Sequence, residues 1–295
     1  YTDDQSIPQL GEIFAIGANV PYSSIVILLY NLPDFPLDDQ YEVSDSLLQF
    51  IGYSEPEEQA MVRKLVRLLN QFAEASHFEQ IWTELAPHQE ALMAQMEHHR
   101  PSNALIEEME RVYQQTFESY RITPSLLIWS GPGWGFQTLD GKMANFVLGP
   151  MDKNFDFSNG NQFQELAIHE LGHSFINHHV LTDQNTSIIQ QMDSLYIPLQ
   201  AAMTSQGYGD WLSCVIEHYV RAGEIIFKDL LDDPEGKAKL MQNYVEERDF
   251  VYLPFLIEKL TEYRLTQALS YQEAVHRSLL DWQATYAPIS TGDKD

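Results

Sequence analysis

A mostly helical α+β fold follows from three features of the sequence. Long stretches carry apolar residues at helical period on both sides of a short central region. That region holds apolar runs punctuated by Gly and Pro, which read as a small antiparallel sheet. An apolar content of 44% over 295 residues supplies a substantial core. The expected order is a helical N-terminal part, the sheet, two helices of unusual chemistry, and a helical C-terminal part closing one side of a cleft.

The elements can be justified in turn. Residues 12–20 are apolar, 25–30 read as either a short strand or a buried helical end, and 31–39 form a Pro/Asp loop. Segments 57–76, 77–100 and 103–120 show helical periodicity, with breaks at Pro87 and Pro101. Residues 125–129 read as a strand, and 134–150, split by Asp140-Gly141, as a hairpin. The loop Ser130 to Trp134 could wall a cleft or be an ordinary Gly/Pro turn. Segment 161–179 is a continuous helix, with Phe163, Leu166, Ala167, Leu171 and Phe175 at helical spacing and Ser158 or Asn161 as its cap. A helix over 211–227 is apolar around most of its circumference, and 237–247, 254–266 and 271–286 complete the set. These group as a helical region 1–122, a central core 123–230 and a helical region 231–295, which the sequence allows to be one continuous domain.

His169-Glu170-Leu171-Gly172-His173 carries the chemistry. Residues four apart on a helix share a face about 6 Å apart along the axis, so both imidazoles can occupy adjacent corners of a zinc tetrahedron. Glu170 is turned about 100° from His169, beside the metal, and reads as the base that takes a proton from water rather than as a ligand. Such a pentapeptide arises by chance in roughly 3 of 100 chains of this composition, so its context decides. It falls in a helix without proline, the element its mechanism needs.

A tetrahedral catalytic zinc needs a third protein ligand. His179 stands at the offset of the third His in the metzincin pattern. That pattern requires Gly three residues after the second His, however, and here the position is Ile176, which does not take a left-handed turn cheaply. Glu217 lies mid-helix in a polar row of Asp210, Ser213, Glu217, Arg221 and Glu224, whose spacings of three and four point it into the interior. A buried carboxylate needs a partner or a metal. Glu217 is therefore the leading candidate, ahead of Asp210 and His218, with a plain Glu217–Arg221 ion pair as the alternative.

A motif helix followed at a distance by a glutamate on a second helix resembles the gluzincin metallopeptidases. More narrowly, His-Glu-Leu-Gly-His-Ser-Phe from His169 to Phe175, with Glu-His-Tyr-Val-Arg-Ala from Glu217 to Ala222, resembles a bacterial domain-of-unknown-function family regarded as secreted zinc peptidases, whose second motif has the form Glu-x-x-Val-Arg-Ala. The likeness covers most of the chain. It implies a zincin-like core, His169, His173 and Glu217 as zinc ligands, Glu170 as base, and an extracytoplasmic location. In zincin-like folds the edge strand above the active helix takes substrate backbone by strand addition, and residues 144–147 are expected there.

Arg221, one turn past Glu217, is expected to act in catalysis by binding either that carboxylate or a substrate carbonyl. Glu224 and Asp210 are candidate acceptors for the imidazole N–H groups turned away from the metal. His178, His179 and His218 are expected to face solvent or to cap a helix end. Tyr208, Tyr219, Tyr263 and Arg221 are candidate oxyanion donors.

A net charge of −26 argues against nucleic acid and anionic membrane as partners. Cys214 is alone, so no intrachain disulfide forms. No stretch is long and apolar enough to span a membrane. The chain begins at Tyr1 without Met, consistent with a removed signal segment. Two function classes follow: a zinc hydrolase cutting a peptide or protein substrate, and a catalytically silent zincin-fold binding or sensing module. An intact Glu170 favours the first.

Overall fold

The computed structural model describes residues 6–97, 99–125, 133–150, 157, 160–266 and 268–287. Its helices before the sheet are α1 (Ser6–Gly17), α2 (Tyr22–Tyr30), α3 (Asp45–Phe50), α4 (Pro56–Ala75), α5 (Phe78–Glu97) and α6 (Asn103–Tyr113). Segment 25–30 is thus a helical end. In α4, Pro56 opens the first turn beside Glu57 and Glu58, which suit the positive end of the helix dipole. Its inner face presents Val62, Leu65 and Val66 to Leu28, Leu47 and Leu48, forming an N-terminal core. Pro87 lies inside α5 without ending it.

α6 stops at Tyr113 because Gln114 takes the left-handed conformation, φ 52°. The chain therefore leaves the helix earlier than its periodicity suggests, and part of the expected 103–120 helix becomes strand β1 (Ser119–Pro124). β2 (Trp134–Gln137) and β3 (Met143–Leu148) form the expected antiparallel hairpin, with Gly141 at φ 68° in the turn. β1 pairs parallel to β3. The sheet, in order β1-β3-β2, is mixed rather than antiparallel.

This order corrects the assignment of residues 144–147 to an edge. β3 is central, with backbone partners on both sides, and cannot accept a further strand. Its unbroken burial from Ala144 to Leu148 is that of an inner strand. The edges are β1 and β2. Most of the strand expected at 125–129, residues 130–132 of the expected loop and the cap candidate Ser158 lie outside the described residues, as does the side chain of Asn161, while Trp134 at the loop's end packs on Tyr22, on the sheet face away from α7, and walls no cleft there.

The sheet separates two helical layers. Ala144, Phe146 and Leu148 face the main core, where α7 (Gly160–Val180) packs, while Val147 and Phe136 meet Val26 of α2 on the other face. Beyond α7 come α8 (Asp183–Gln191), two short 3-10 turns, α9 (Gln200–Ser205), α10 (Trp211–Leu230), α11 (Pro234–Met241), a π-helical turn over Gln242–Glu247, α12 (Leu253–Thr266) and α13 (Tyr271–Tyr286). One core runs from α6 to α13, with Phe175, Tyr219, Phe227 and Trp282 fully buried in it. Among the described residues no single helix is long and apolar enough to cross a membrane.

Candidate metal centre

Three elements converge on one buried point. α7 is anchored by Phe163, Ala167, Leu171 and Phe175, which recur at helical spacing and are at most 1% exposed. This packing turns His169 and His173 to one side, with ring centroids 5.1 Å apart and planes at 82°. Ligand atoms of His169, Glu170 and His173 all lie within 4.8 Å of one another, a group that could hold a metal ion.

β2 supplies the second wall. An ideal Cβ at Gly135 would sit 1.5 Å from the carbonyl oxygen of Glu170, so only glycine lets the strand lie this close to α7. The Gly135 N–H is turned to the Glu170 carboxylate and favours its charged form. Burial outweighs this and, with the nearby Glu217 charge, raises the Glu170 pKa.

α10 supplies the third. Asp210 caps it by accepting from the Ser213 N–H at 2.8 Å. The buried part of the row, from Glu217 onward, then meets α7: Glu217 Oε1 is 3.3 Å from His173 Nε2 and its Oε2 is 3.7 Å from His169 Nε2. Glu224 reaches the other nitrogen of His169, Oε1 to Nδ1 at 3.3 Å. His173 Nδ1 meets Asn177 Oδ1 at 3.1 Å. Each imidazole thus has Nε2 turned to Glu217 and Nδ1 held by an oxygen, which orients both rings.

Arg221 sits beneath this group. Its Nη2 is 3.3 Å from Glu217 Oε2 and donates to the Tyr208 hydroxyl at 2.9 Å, and Nη1 is 3.9 Å from Glu224 Oε2. Its guanidinium carbon lies 4.4 Å from the Tyr244 ring centroid and 4.6 Å from that of Phe250. Of the two roles open to Arg221, binding its own carboxylates is the one the geometry displays.

The electrostatics follow from burial and pairing. Burial opposes a charge on His169, but Glu224 and Glu217 override it and raise the pKa to about 9. Burial likewise opposes the charge of Glu217, yet His169, His173 and Arg221 hold its carboxyl well below the usual range. Glu224 is lowered against its burial by His169 and Arg221. Oε2 of Glu217 is buried and, although paired with the Arg221 guanidinium at 3.3 Å, makes no well-aligned hydrogen bond. Two Nε2 atoms and a carboxylate facing one point could hold a divalent metal ion once the proton on His169 is displaced.

Other candidates lie elsewhere. α7 continues through Ile176 to Val180, and His179 is carried away to lie tilted against His178, ring centroids 3.8 Å apart, and to meet Tyr271. His218 is fully buried against Phe250, Tyr252 and Trp282 and neither faces solvent nor caps a helix end, whereas His178 and His179 stand half-buried in the last turn of α7. Aromatic rings from the chain beyond α11 close over His218. Tyr219 bonds Ser278, and Tyr263 packs on Tyr271; of the tyrosines considered, Tyr208 is the one at the site. Sequence reasoning missed Asn177, Gly135, Tyr244 and Phe250. Asn177 carried a local signal, four residues after His173. The aromatic pair reaches Arg221 from a distant segment and carried none.

A family model described as a domain of unknown function (DUF4932) matches residues 40–270, and the chain belongs to that family. No curated protein and no solved structure matches it.

Proposed function

We propose that this family member is a zinc-dependent hydrolase, a metallopeptidase of gluzincin type, with His169, His173 and Glu217 holding the ion and Glu170 as base. The observation that carries the reading is the division of labour on α7: two imidazoles share a point with a carboxylate from α10, while Glu170 lies beside them against β2. A bound zinc ion would polarise a substrate carbonyl and acidify water at the site.

The chain's own groups would do the rest. The raised pKa of Glu170 brings it towards the range of an effective general base, able to take the proton of the attacking water and return it to the leaving amine. Glu224 and Asn177 keep both rings oriented. Arg221, pinned between Tyr244 and Phe250, fixes Glu217 and acts through it. Tyr208 is the candidate oxyanion donor. Substrate backbone would run along the free edge of β2, the strand in contact with α7, in place of β3.

Glu170→Gln tests this. Both imidazoles and Glu217 remain, so zinc content should persist while turnover of a cleavable peptide falls by about 10² to 10⁴-fold. Cleavage at the wild-type rate would remove Glu170 from the mechanism. A zinc-loaded wild type that cuts nothing in a broad peptide library would leave a binding or sensing module.

A further inference from the structure

α5 is the least satisfied element of the fold. Met96 is its one buried residue among those described, whereas Phe78, Ile81, Trp82, Leu85 and Met93 are 36 to 54% exposed. Their spacing places them in one apolar stripe. Phe78 and Trp82 stack at 5.9 Å beside an apolar cavity of about 560 Å³ between α5, α4 and the end of α2, with Leu29, Leu69 and Phe72 in its lining. That volume is in the range of built ligand pockets, and exposed apolar surface of this extent marks an interaction site.

The carboxylates that line it have no Lys or Arg beside them in the lining. Asp34 and Glu79 stand in the cavity wall and Glu74 in the adjoining cavity. α5 carries Glu79, Glu84, Glu90 and Glu97 and no basic residue except His88. Pairing two copies of α5 would set these glutamates against each other, and an anionic lipid surface would meet the same repulsion. A basic partner meets complementary charge.

We propose that the cavity and the α5 stripe form a docking groove for a cationic amphipathic helical peptide, its apolar side chains seated between Leu29, Phe72 and Trp82 and its Lys or Arg groups against Asp34 and Glu79. The groove lies on the other side of the sheet from the metal centre. α2, whose end forms one wall, packs Tyr22 on Trp134 and Tyr30 on Phe136, on the sheet face turned away from α7.

The full chain is titrated with a labelled amphipathic helical peptide of Leu and Lys, and with the same peptide carrying Glu for Lys, by anisotropy and tryptophan emission. The Lys peptide should bind saturably at one per chain, at least about tenfold tighter than the Glu peptide, and should weaken as salt is raised. The Trp82→Ser, Leu85→Gln double variant should lose at least about tenfold in affinity with unchanged melting temperature and zinc content. Asp34→Asn with Glu79→Gln should abolish the preference for Lys over Glu. Equal binding of the two peptides, or no saturable binding, overturns the proposal. So does dimerisation in sedimentation that the Trp82→Ser, Leu85→Gln variant abolishes, or a stronger response to phosphatidylglycerol vesicles than to the peptide.

Discussion

Gly135→Ala probes the contact that aligns the base with the rest of the centre. The new Cβ would lie 1.5 Å from the Glu170 carbonyl oxygen and 2.3 Å from its carbon, whereas contacts under 3.0 Å essentially never occur. β2 and α7 must therefore separate by roughly 1.5 Å. Overpacking of this kind costs about 1–3 kcal/mol. The weakened N–H interaction with a buried carboxylate adds about 1–3 kcal/mol. A chain of this size loses roughly 1.6 °C in melting temperature per kcal/mol, so a fall of about 3–10 °C is expected by circular dichroism. A displacement of Glu170 by about 1 Å should also lower turnover on the order of 10²-fold. Zinc content should persist, since the proposed ligands sit on α7 and α10.

Gly172→Ala is the internal control. Its added Cβ would lie 3.6 Å from Val220 Cγ1, an ordinary contact, in a helix interior where alanine gains about 0.5–1 kcal/mol. The two substitutions should shift the melting temperature in opposite directions. If Gly135→Ala melts within about 2 °C of wild type and keeps its activity, the close approach of β2 to α7 is wrong.

Three further outcomes are expected. The purified protein should carry about one zinc per chain by elemental analysis, lost in the His169→Ala, His173→Ala variant; Glu217→Gln should weaken zinc at least about tenfold and His179→Ala should not, and the reverse order would make His179 the ligand. Arg221→Met strands Glu217 and Glu224 without their cation and should lower the stability of the zinc-chelated protein by about 3–5 kcal/mol in urea, so a loss below about 1 kcal/mol would deny the buried pairing. Burial, with His178 beside it, lowers His179 to about 4, so the unfolded chain takes up its proton first as pH falls. The stability this group contributes is therefore present above about pH 6.5 and lost towards pH 4. With its solvent-facing edge discounted, the effect is on the order of 1 kcal/mol, and His179→Gln should flatten that part of the pH profile.

What the sequence by itself determined is local. The helical spacing of His169 and His173 brought their rings together because four residues make about one turn whatever packs around them. Glu217, Arg221 and Glu224 pointed inward because a helix dictates which residues share a face, whereas Asp210, first in the same row, stands exposed at the cap; Asp140-Gly141 made its turn for equally local reasons. What only the tertiary structure decided is pairing across distance. Whether β3 is edge or centre depends on β1 arriving on its free side, and a parallel partner leaves no mark within the strand beyond its continuous apolar run. Glu224, not Asp210, met His169 because Asp210 was taken up in capping α10. Gly135 is legible as a strand residue but not as the seat of Glu170, and Tyr244 and Phe250 acquire their place over Arg221 only when the chain beyond α11 folds back onto α10. Such contacts depend on how helices and sheet pack, and packing is set by the sum of many weak apolar interactions rather than by the residues that it brings together.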